Sequence, residues 1–307
     1  MKETIFTGCA TALVTPFQNG LPDEKALGRL IDLQIAGGCR ALVIAGTTGE
    51  SAVLSYPEHK ALIGAAVRLA AGRIPVIAGA GSNNTLNALT LIHQAEDAGA
   101  DALLLVTPFY NKTSQAGLLR HYTYLADRAE KPILLYDVPS RTGMHIQAET
   151  LAELSRHPRI AGIKAAGTDL DDISRAIRLC PKDFSFYSGN DSLTLPLMAM
   201  GAKGVISVAS NLVPEAVSEM TRLCLSGDFR NAAAIHYEYL PLMDALFLDV
   251  NPIPVKAAMA ALGLISGELR LPLTELSAPK REALLKVLQQ CGLLPMNDRV
   301  GGHPLVE

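Results

Sequence analysis

Short apolar segments alternate with longer amphipathic ones along most of the chain. The apolar segments are rich in Val, Ile, Leu and Ala, and they lack the strict alternation of apolar and polar residues that marks a half-exposed strand. Continuous apolar runs of this length are typical of parallel strands that are buried on both faces. We therefore predict eight strands, at residues 9–16, 41–46, 75–81, 102–108, 133–139, 160–165, 184–189 and 204–210.

An amphipathic stretch follows each predicted strand and indicates a helix. The first begins at Asp23, a suitable N-cap residue, and ends at Gly37 and Gly38. Comparable stretches begin near Pro57 and Thr85. Eight strand–helix units within about 225 residues match a (β/α)8 TIM barrel, whose typical length is about 250 residues. The predicted fold class is therefore α/β, with this barrel as its architecture.

An open, doubly wound sheet is the alternative architecture, but its expected signature is missing. A dinucleotide-binding fold would place the motif GxGxxG directly after the first strand. The nearest string, GAGSNN at 79–84, follows the third predicted strand and has no third glycine. The pattern therefore favours the closed barrel.

The pattern changes after about residue 226. Three helical stretches follow, at roughly 229–247, 252–264 and 278–291, with no apolar strand between them. We therefore predict a catalytic barrel over residues 1–226, a C-terminal helical appendage over 227–294 and a tail over 295–307. The tail is largely polar and contains glycine, so we expect it to be poorly ordered.

Composition and charge narrow the classes of function. The 307 residues are 49% hydrophobic with a formal net charge of −3, which gives no sign of a nucleic-acid or anionic-membrane partner. No apolar run reaches the length of about 18 residues that a spanning helix needs. The start of the chain lacks the pattern of a signal peptide. Five widely spaced cysteines without a CxxC pair argue against a disulfide framework. We therefore expect a cytoplasmic protein.

Polar residues follow the predicted strands at the end where (β/α)8 barrels place their active sites. No His or Cys stands at these strand ends, so we expect neither a metal site nor serine- or cysteine-hydrolase chemistry, and no cofactor is predicted. The polar and glycine positions at the strand ends are Thr47, Thr48, Tyr110, Tyr136, Arg141, Lys164, Gly189 and Asp191.

Lys164 is the one charged residue of the apolar stretch IAGIKAAG at 160–167. Lysine is rarely buried without a partner, because removing its charge from water is costly. Apolar surroundings favour the neutral amine, which can attack a ketone or aldehyde and form a Schiff base. A tyrosine hydroxyl linked to a threonine hydroxyl could move the protons that this reaction requires. Tyr136 lies one predicted strand away.

Each of these residues, taken alone, has a simpler interpretation. Lys164 could extend from a strand end to solvent, and Thr47 and Thr48 could belong to a helix cap. The tyrosines could be core or interface aromatics, and Arg141 could form a surface ion pair. The functional interpretation depends on their convergence at one end of the predicted barrel.

Six motifs occur together in this sequence, and through them the chain resembles the dihydrodipicolinate synthase family over about residues 5–294. TTGES together with VPSRTG separates this family from N-acetylneuraminate lyases, which have a GSTGE-like motif and lack the arginine. The motifs are GTTGES at 46–51, VTPFYNK at 106–112, YDVPSRTG at 136–143, GIKAAG at 162–167, GVISV at 204–208 and NPIPVK at 251–256.

The resemblance implies that pyruvate condenses with L-aspartate 4-semialdehyde, a step of lysine and diaminopimelate biosynthesis. It implies that Lys164 forms the Schiff base with pyruvate and that Tyr136 donates and accepts the proton. Thr47 would link Tyr136 to Tyr110, which in this family usually comes from a neighbouring subunit. The implied assembly is a homotetramer built as a dimer of dimers.

The resemblance also implies how the two substrates are held. Thr48 and the backbone of Ile206 would bind the pyruvate carboxylate, with Gly189 also in the substrate site. Arg141 would bind the carboxylate of the semialdehyde, a role that suits its planar fork of donors.

Two other functions stay open from the sequence. The first is a related pyruvate-dependent aldolase or lyase that acts on a sugar acid, similar to N-acetylneuraminate lyase. Arg141 argues against it, but the family commonly has Glu where this chain has Ala165, and Asn where it has Asp137. The second is an inactive barrel that binds a 2-keto acid. The intact lysine, tyrosine and threonine positions argue against an inactive barrel.

A lysine-inhibition site occurs in part of the family, and only some of its residues are present here. Tyr56, Asn87 and Phe109 stand where inhibited members have His, Glu and Tyr, whereas His59 and Asn83 remain. The positions of this possible remnant site are Ser51, Ala52, Tyr56, His59, Asn83, Asn87 and Phe109.

We predict weak or absent feedback inhibition by lysine. The neutral amide of Asn87 replaces a carboxylate, so the ammonium of the inhibitor loses a charged partner. Initial rates measured over a lysine titration should change little. Strong inhibition at submillimolar lysine would contradict this prediction.

Overall fold

Eight parallel strands close into a barrel, and each is hydrogen-bonded to its neighbours in chain order, with the last pairing with the first. The structure is a computed structural model that describes residue 2 and residues 4–295, so all but the first residue of the predicted tail lies outside the described residues. The predicted (β/α)8 barrel is confirmed. Its strands are β1 Gly8–Ala12, β2 Ala41–Ile44, β3 Val76–Gly79, β4 Ala102–Val106, β5 Ile133–Asp137, β6 Ile160–Ala165, β7 Ser185–Ser188 and β8 Gly204–Ser207.

Helices follow every strand, and three more helices complete the described part of the chain. Three single 3-10 turns, at Ser51–Val53, Asp191–Leu193 and Ala209–Asn211, lie in the loops after β2, β7 and β8. The helices are α1 Glu24–Ala36, α2 Tyr56–Ala70, α3 Thr85–Asp97, α4 Gln115–Ala126, α5 Pro139–Thr142, α6 Ala148–Leu154, α7 Leu170–Leu179, α8 Thr194–Ala199, α9 Pro214–Leu225, α10 Phe229–Ala245, α11 Ile253–Ala261 and α12 Ala278–Gln290.

Side-chain caps begin several of the barrel helices. Asp23 accepts a hydrogen bond from the backbone N–H of Ala26, as the sequence predicts. Ser55 and Glu58 form a reciprocal capping box at the start of α2. Asn84 caps α3, so this helix begins where the sequence places it and Thr85 is its first residue. These caps satisfy N–H groups that a helix leaves unpaired at its N-terminus.

Some elements differ from the prediction in local detail. The strand predicted at 133–139 ends at Asp137, because Pro139 is the first residue of the short helix α5. A two-stranded hairpin, Phe17–Gln18 with Leu21–Pro22, was not predicted. It turns through Asn19 and Gly20, both at positive φ, and an Asn-Gly pair is a known hairpin signal.

The core has two layers, one inside the barrel and one between the barrel and its helices. The inner cluster includes Ala10, Leu104, Tyr136, Tyr187 and Ile206. The outer cluster is larger and takes the alternate residues of the same strands together with the apolar faces of the helices. A strand residue therefore faces either the barrel interior or the helices, and its neighbour faces the other layer.

The predicted C-terminal helices are present as α10, α11 and α12. They pack against one another, and α10 also packs against α8 and α9, while α11 contacts the turn after β8. The predicted division into a barrel over 1–226 and a helical domain over 227–294 stays a prediction. Among the described residues, no helix is long and apolar enough to cross a membrane.

Candidate active site

Lys164 lies inside the barrel and not at its surface. It is paired in strand register with Tyr136 of β5, and its Nζ is 4.4 Å from the centroid of the Tyr136 ring. Lys164 is 5% exposed and Tyr136 is 7% exposed. The alternative of a strand-end lysine that extends to solvent is therefore wrong.

A cavity of about 410 Å³ lies at the carboxyl ends of the strands and is lined by both Lys164 and Tyr136. Its other walls come from the segments that follow β2, β7 and β8 and from the chain just before α11. Three further predicted residues line it, namely Thr48, Arg141 and Gly189. The volume is within the range of sites that bind small molecules. We call this space the lysine cavity.

Three of the polar groups at the lysine cavity are joined by hydrogen bonds. Asn251 donates from Nδ2 to the hydroxyl oxygen of Thr48 at 2.9 Å. Arg141 donates from Nη2 to the backbone carbonyl of Asn251 at 3.1 Å. Because the Thr48 oxygen already accepts a hydrogen bond, its own O–H is free to donate to a ligand. The sequence interpretation did not include Asn251, although its motif NPIPVK was part of the resemblance.

A second cavity, of about 520 Å³, lies on the other side of Tyr136 and is lined by Thr47. Tyr136, Arg141 and Asn251 line both cavities. Thr47 and Thr48 are adjacent in the chain, yet they line different cavities. The relay from Thr47 to Tyr136 stays a prediction.

Gly189 lines the lysine cavity, whereas Ile206 does not. A Cβ at Gly189 would stand 2.6 Å from the Cβ of Ala166, so only glycine fits. Ile206 is fully buried in the inner core cluster, whereas Val208, two residues further along, lines the cavity. Contact between the Ile206 backbone and a substrate therefore stays a prediction.

Tyr110 lies outside both cavities in the single chain. Its side chain is 91% exposed, and its backbone is left-handed with φ +67°. Such a conformation is uncommon for a residue other than glycine. The neighbouring Phe109 is also exposed and lines the second cavity.

Most positions of the possible remnant inhibitor site line the second cavity, and two do not. The carbonyl of Asn83 accepts a hydrogen bond from Asn111 Nδ2 at 3.0 Å, and Asn87 lies in the first turn of α3. The lining positions are Ser51, Ala52, Tyr56, His59 and Phe109.

A histidine between two carboxylates lies beside the site and was missed by the sequence interpretation. The Nδ1 of His145 lies 2.7 Å from Oδ2 of Asp137, and its Nε2 lies 3.0 Å from Oδ2 of Asp172. These bonds raise the pKa of His145, while burial raises the pKa of Asp137. His145 does not itself stand at a strand end, and only the fold brings it to Asp137 at the end of β5. His145 is eight residues after Asp137, and α5 turns the chain back to bring them together.

The two departures from the family pattern face away from the lysine cavity. Asp137 and Ala165 are paired in register on β5 and β6, one residue beyond Tyr136 and Lys164. Asp137 is bonded to His145, and Ala165 belongs to the outer core cluster. Successive strand residues point to opposite faces, and neither side chain lines the lysine cavity.

Asp191 is a second buried carboxylate near the site. It accepts hydrogen bonds through Oδ2 from the backbone N–H groups of Val208 at 2.9 Å and Ala209 at 3.0 Å. Burial raises its pKa. Asp191 therefore joins the loop after β7 to the loop after β8.

Among the described residues, no group of three or more His, Cys, Asp and Glu side chains has the arrangement of a metal site.

The fold and the site together define a class of protein. A lysine that is buried in the mouth of a (β/α)8 barrel beside a tyrosine is the arrangement of enzymes that form a Schiff base with a carbonyl substrate. Residues 5–291 match the dihydrodipicolinate synthetase family. The chain belongs to this family, and the resemblance found in the sequence is confirmed.

Individual relatives are similar over nearly the whole chain. The 4-hydroxy-tetrahydrodipicolinate synthase of Thermodesulfovibrio yellowstonii is 46% identical over 290 residues, which cover 94% of this chain and 100% of that enzyme. The crystal structure of dihydrodipicolinate synthase from Aquifex aeolicus superposes with a TM-score of 0.92 at 45% identity, covering 94% of this chain and 99% of that one. The structure of the chloride-inhibited dihydrodipicolinate synthase from Acinetobacter baumannii, complexed with pyruvate, superposes with a TM-score of 0.92 at 41% identity. The match covers 95% of this chain and 100% of that one.

We predict that His145→Gln lowers stability more in mild acid than in alkali. The raised pKa means that the His145 contribution is complete below its ordinary pKa of about 6.5 and is lost as the pH rises through the folded value. The side chain is 41% exposed, so we expect a loss in Tm of only about 1–3 °C near pH 6.

Thermal melts of the wild type and the variant at about pH 6 and about pH 9 test this. His93→Gln, at an exposed position on α3, is the matched control and should leave Tm unchanged at both pH values. An equal loss for His145→Gln at both pH values would show that the charge is unimportant.

Proposed function

We propose that this chain condenses pyruvate with L-aspartate 4-semialdehyde, the reaction of 4-hydroxy-tetrahydrodipicolinate synthases, in lysine and diaminopimelate biosynthesis. The observation that carries the proposal is the burial of Lys164 against Tyr136 in a cavity of small-molecule size. Family membership and near full-length similarity to enzymes of this name support it.

The chemistry begins at Lys164. Its neutral amine attacks C2 of pyruvate, and loss of water from the carbinolamine leaves an iminium. Tyr136 donates and accepts the protons of these steps, a role that its position beside the Nζ supports. Loss of a proton from C3 then gives an enamine, which attacks the aldehyde carbon of the second substrate. The amino group of that substrate closes the ring at C2 and releases the lysine.

The polar groups around Lys164 would orient the two substrates. The free O–H of Thr48 suits the pyruvate carboxylate, and the absence of a side chain at Gly189 leaves room for it. Arg141 lines both cavities, so its guanidinium can bind the carboxylate of the semialdehyde while the aldehyde reaches the enamine. The backbone of Ile206 completes the proposed pyruvate site.

The second half of the proton relay comes from another subunit. Thr47 would connect Tyr136 to Tyr110 of a neighbouring copy, because Tyr110 is almost fully exposed in the single chain. This supports a homo-oligomer, and we propose a tetramer built as a dimer of dimers.

The five cysteines are free thiols, which suits the reducing cytoplasm as the compartment of this protein.

Trapping the intermediate tests the assignment of Lys164. We expect borohydride to fix pyruvate on Lys164 of the wild type, with the adduct located by mass spectrometry of peptides. Lys164→Ala should lose the adduct and nearly all activity, whereas Lys60→Ala, at an exposed lysine of α2, should keep both. If the wild type forms no adduct at Lys164, the proposed mechanism fails. A coupled activity assay with L-aspartate 4-semialdehyde and, separately, with sugar-acid substrates distinguishes the synthase from a sugar-acid lyase.

Removing one hydroxyl tests the contribution of the neighbouring subunit. We expect Tyr110→Phe to lower kcat by about 100-fold or more, since a relay donor is worth that much, while the variant stays folded. Tyr237→Phe removes the hydroxyl of another exposed tyrosine, on α10, and should have no effect. Full activity of Tyr110→Phe in a steady-state assay would remove Tyr110 from the relay.

A further inference from the structure

A buried ion pair joins the C-terminal helices to the TTGES turn. The Nζ of Lys256, on α11, lies 2.5 Å from Oε1 of Glu50, and both side chains are 0% exposed. Burying two charges costs several kcal/mol per ion, and apolar residues of similar volume are often as stable. Stability alone therefore does not explain why this site holds a charged pair. The proposed mechanism uses neither residue.

Both charges make further contacts. Lys256 donates a second hydrogen bond to the carbonyl of Thr15 at 2.9 Å, and its Nζ is 4.4 Å from the centroid of the Phe17 ring. The second oxygen of Glu50 accepts from the backbone N–H of Arg270 at 3.2 Å. Burial lowers the pKa of Lys256. The pair thus holds together the segment after β1, the turn after β2 and the segment after α11.

Glu50 is part of the turn that carries the two threonines. Its backbone is left-handed with φ +55°, and its N–H donates to the carbonyl of Thr47 at 3.1 Å. A non-glycine residue in this conformation is strained and persists only where the surroundings hold it. The preceding residue, Gly49, is held as well, because its carbonyl accepts a hydrogen bond from the hydroxyl of Thr15 at 2.6 Å. The side chain of Glu50 is therefore the anchor of a strained turn.

A second contact from the same C-terminal segment reaches the same turn. Asn251, five residues before Lys256, donates to the hydroxyl of Thr48. One short segment therefore contacts the turn at two points, with Asn251 at the cavity and Lys256 in the buried interior. Only Gly49 separates Thr48 from Glu50 in the chain, so we expect a shift at Glu50 to displace the hydroxyl of Thr48.

We propose that Glu50 and Lys256 are positioning residues that set Thr48 for pyruvate and Thr47 for the proton relay, so that the C-terminal helices control the geometry of the barrel mouth. This inference depends on the proposed function. The pair acts through the turn and does not touch substrate. Displacing a positioning contact by about 1 Å can cost about 100-fold in rate, so loss of the pair should appear in pyruvate binding and turnover.

Three variants separate positioning from folding stability. Glu50→Gln and Lys256→Met each leave one buried charge without its opposite charge, whereas Glu50→Leu with Lys256→Met replaces the pair by apolar side chains. For each, Tm, kcat, KM for pyruvate and the pyruvate dependence of the borohydride-trapped adduct are measured. We expect KM for pyruvate to rise about 10- to 100-fold in all three. In the double variant KM should stay raised even where Tm returns to the wild-type value.

Leu284→Ala is the matched control, because it removes a buried contact of α12 in the same C-terminal segment without reaching the turn. It should lower Tm and leave KM for pyruvate unchanged. A double variant with wild-type KM and adduct formation overturns the inference, whatever the single variants do. If the single variants fail to fold, the double variant alone decides. Failure of the wild type to form the adduct instead overturns the proposed function, so the two failures are distinguishable.

Discussion

The placement of one lysine inside the barrel is the constraint on which the site depends. Lys164 lies among apolar strands with its Nζ against the ring of Tyr136, and nine-tenths or more of each side chain is buried. Lysine is rarely buried without a partner, because removing an ammonium from water is costly. The lysine cavity and the polar groups around it follow from this placement. The placement of Lys164 results from strand register, because Lys164 is paired with Tyr136 and both side chains point inward.

The mouth of the barrel is held by groups from distant parts of the chain. Asn251, in the segment before α11, orients the hydroxyl of Thr48 and receives the guanidinium of Arg141. Lys256 anchors Glu50 from the other side of the same turn. The helical appendage therefore does more than cover the barrel, because its second helix, α11, and the segment before it contact the turn that carries both threonines.

The departures from the family pattern have a common location. Asp137 and Ala165 are neighbours in register on the outer side of β5 and β6, away from the lysine cavity. The family commonly has Asn at the position of Asp137 and Glu at the position of Ala165. In this chain the carboxylate of the pair is therefore on β5 and not on β6. His145 then joins Asp137 to Asp172 of α7. Neither Ala165 nor Asp137 lines the lysine cavity, so neither departure changes its wall.

Some of this was determined by the sequence alone, because strands, helices and their caps depend on local pattern. Continuous apolar runs predicted the eight strands, and the motifs at their ends predicted the family and Lys164 with Tyr136. The Asn-Gly hairpin was also available locally and was missed. Tertiary structure alone decided that Thr47 and Thr48 line different cavities, and that Lys256 reaches Glu50 across 206 residues of chain. Such pairings come from packing between segments far apart in the chain, and no local period of hydrophobic residues encodes them.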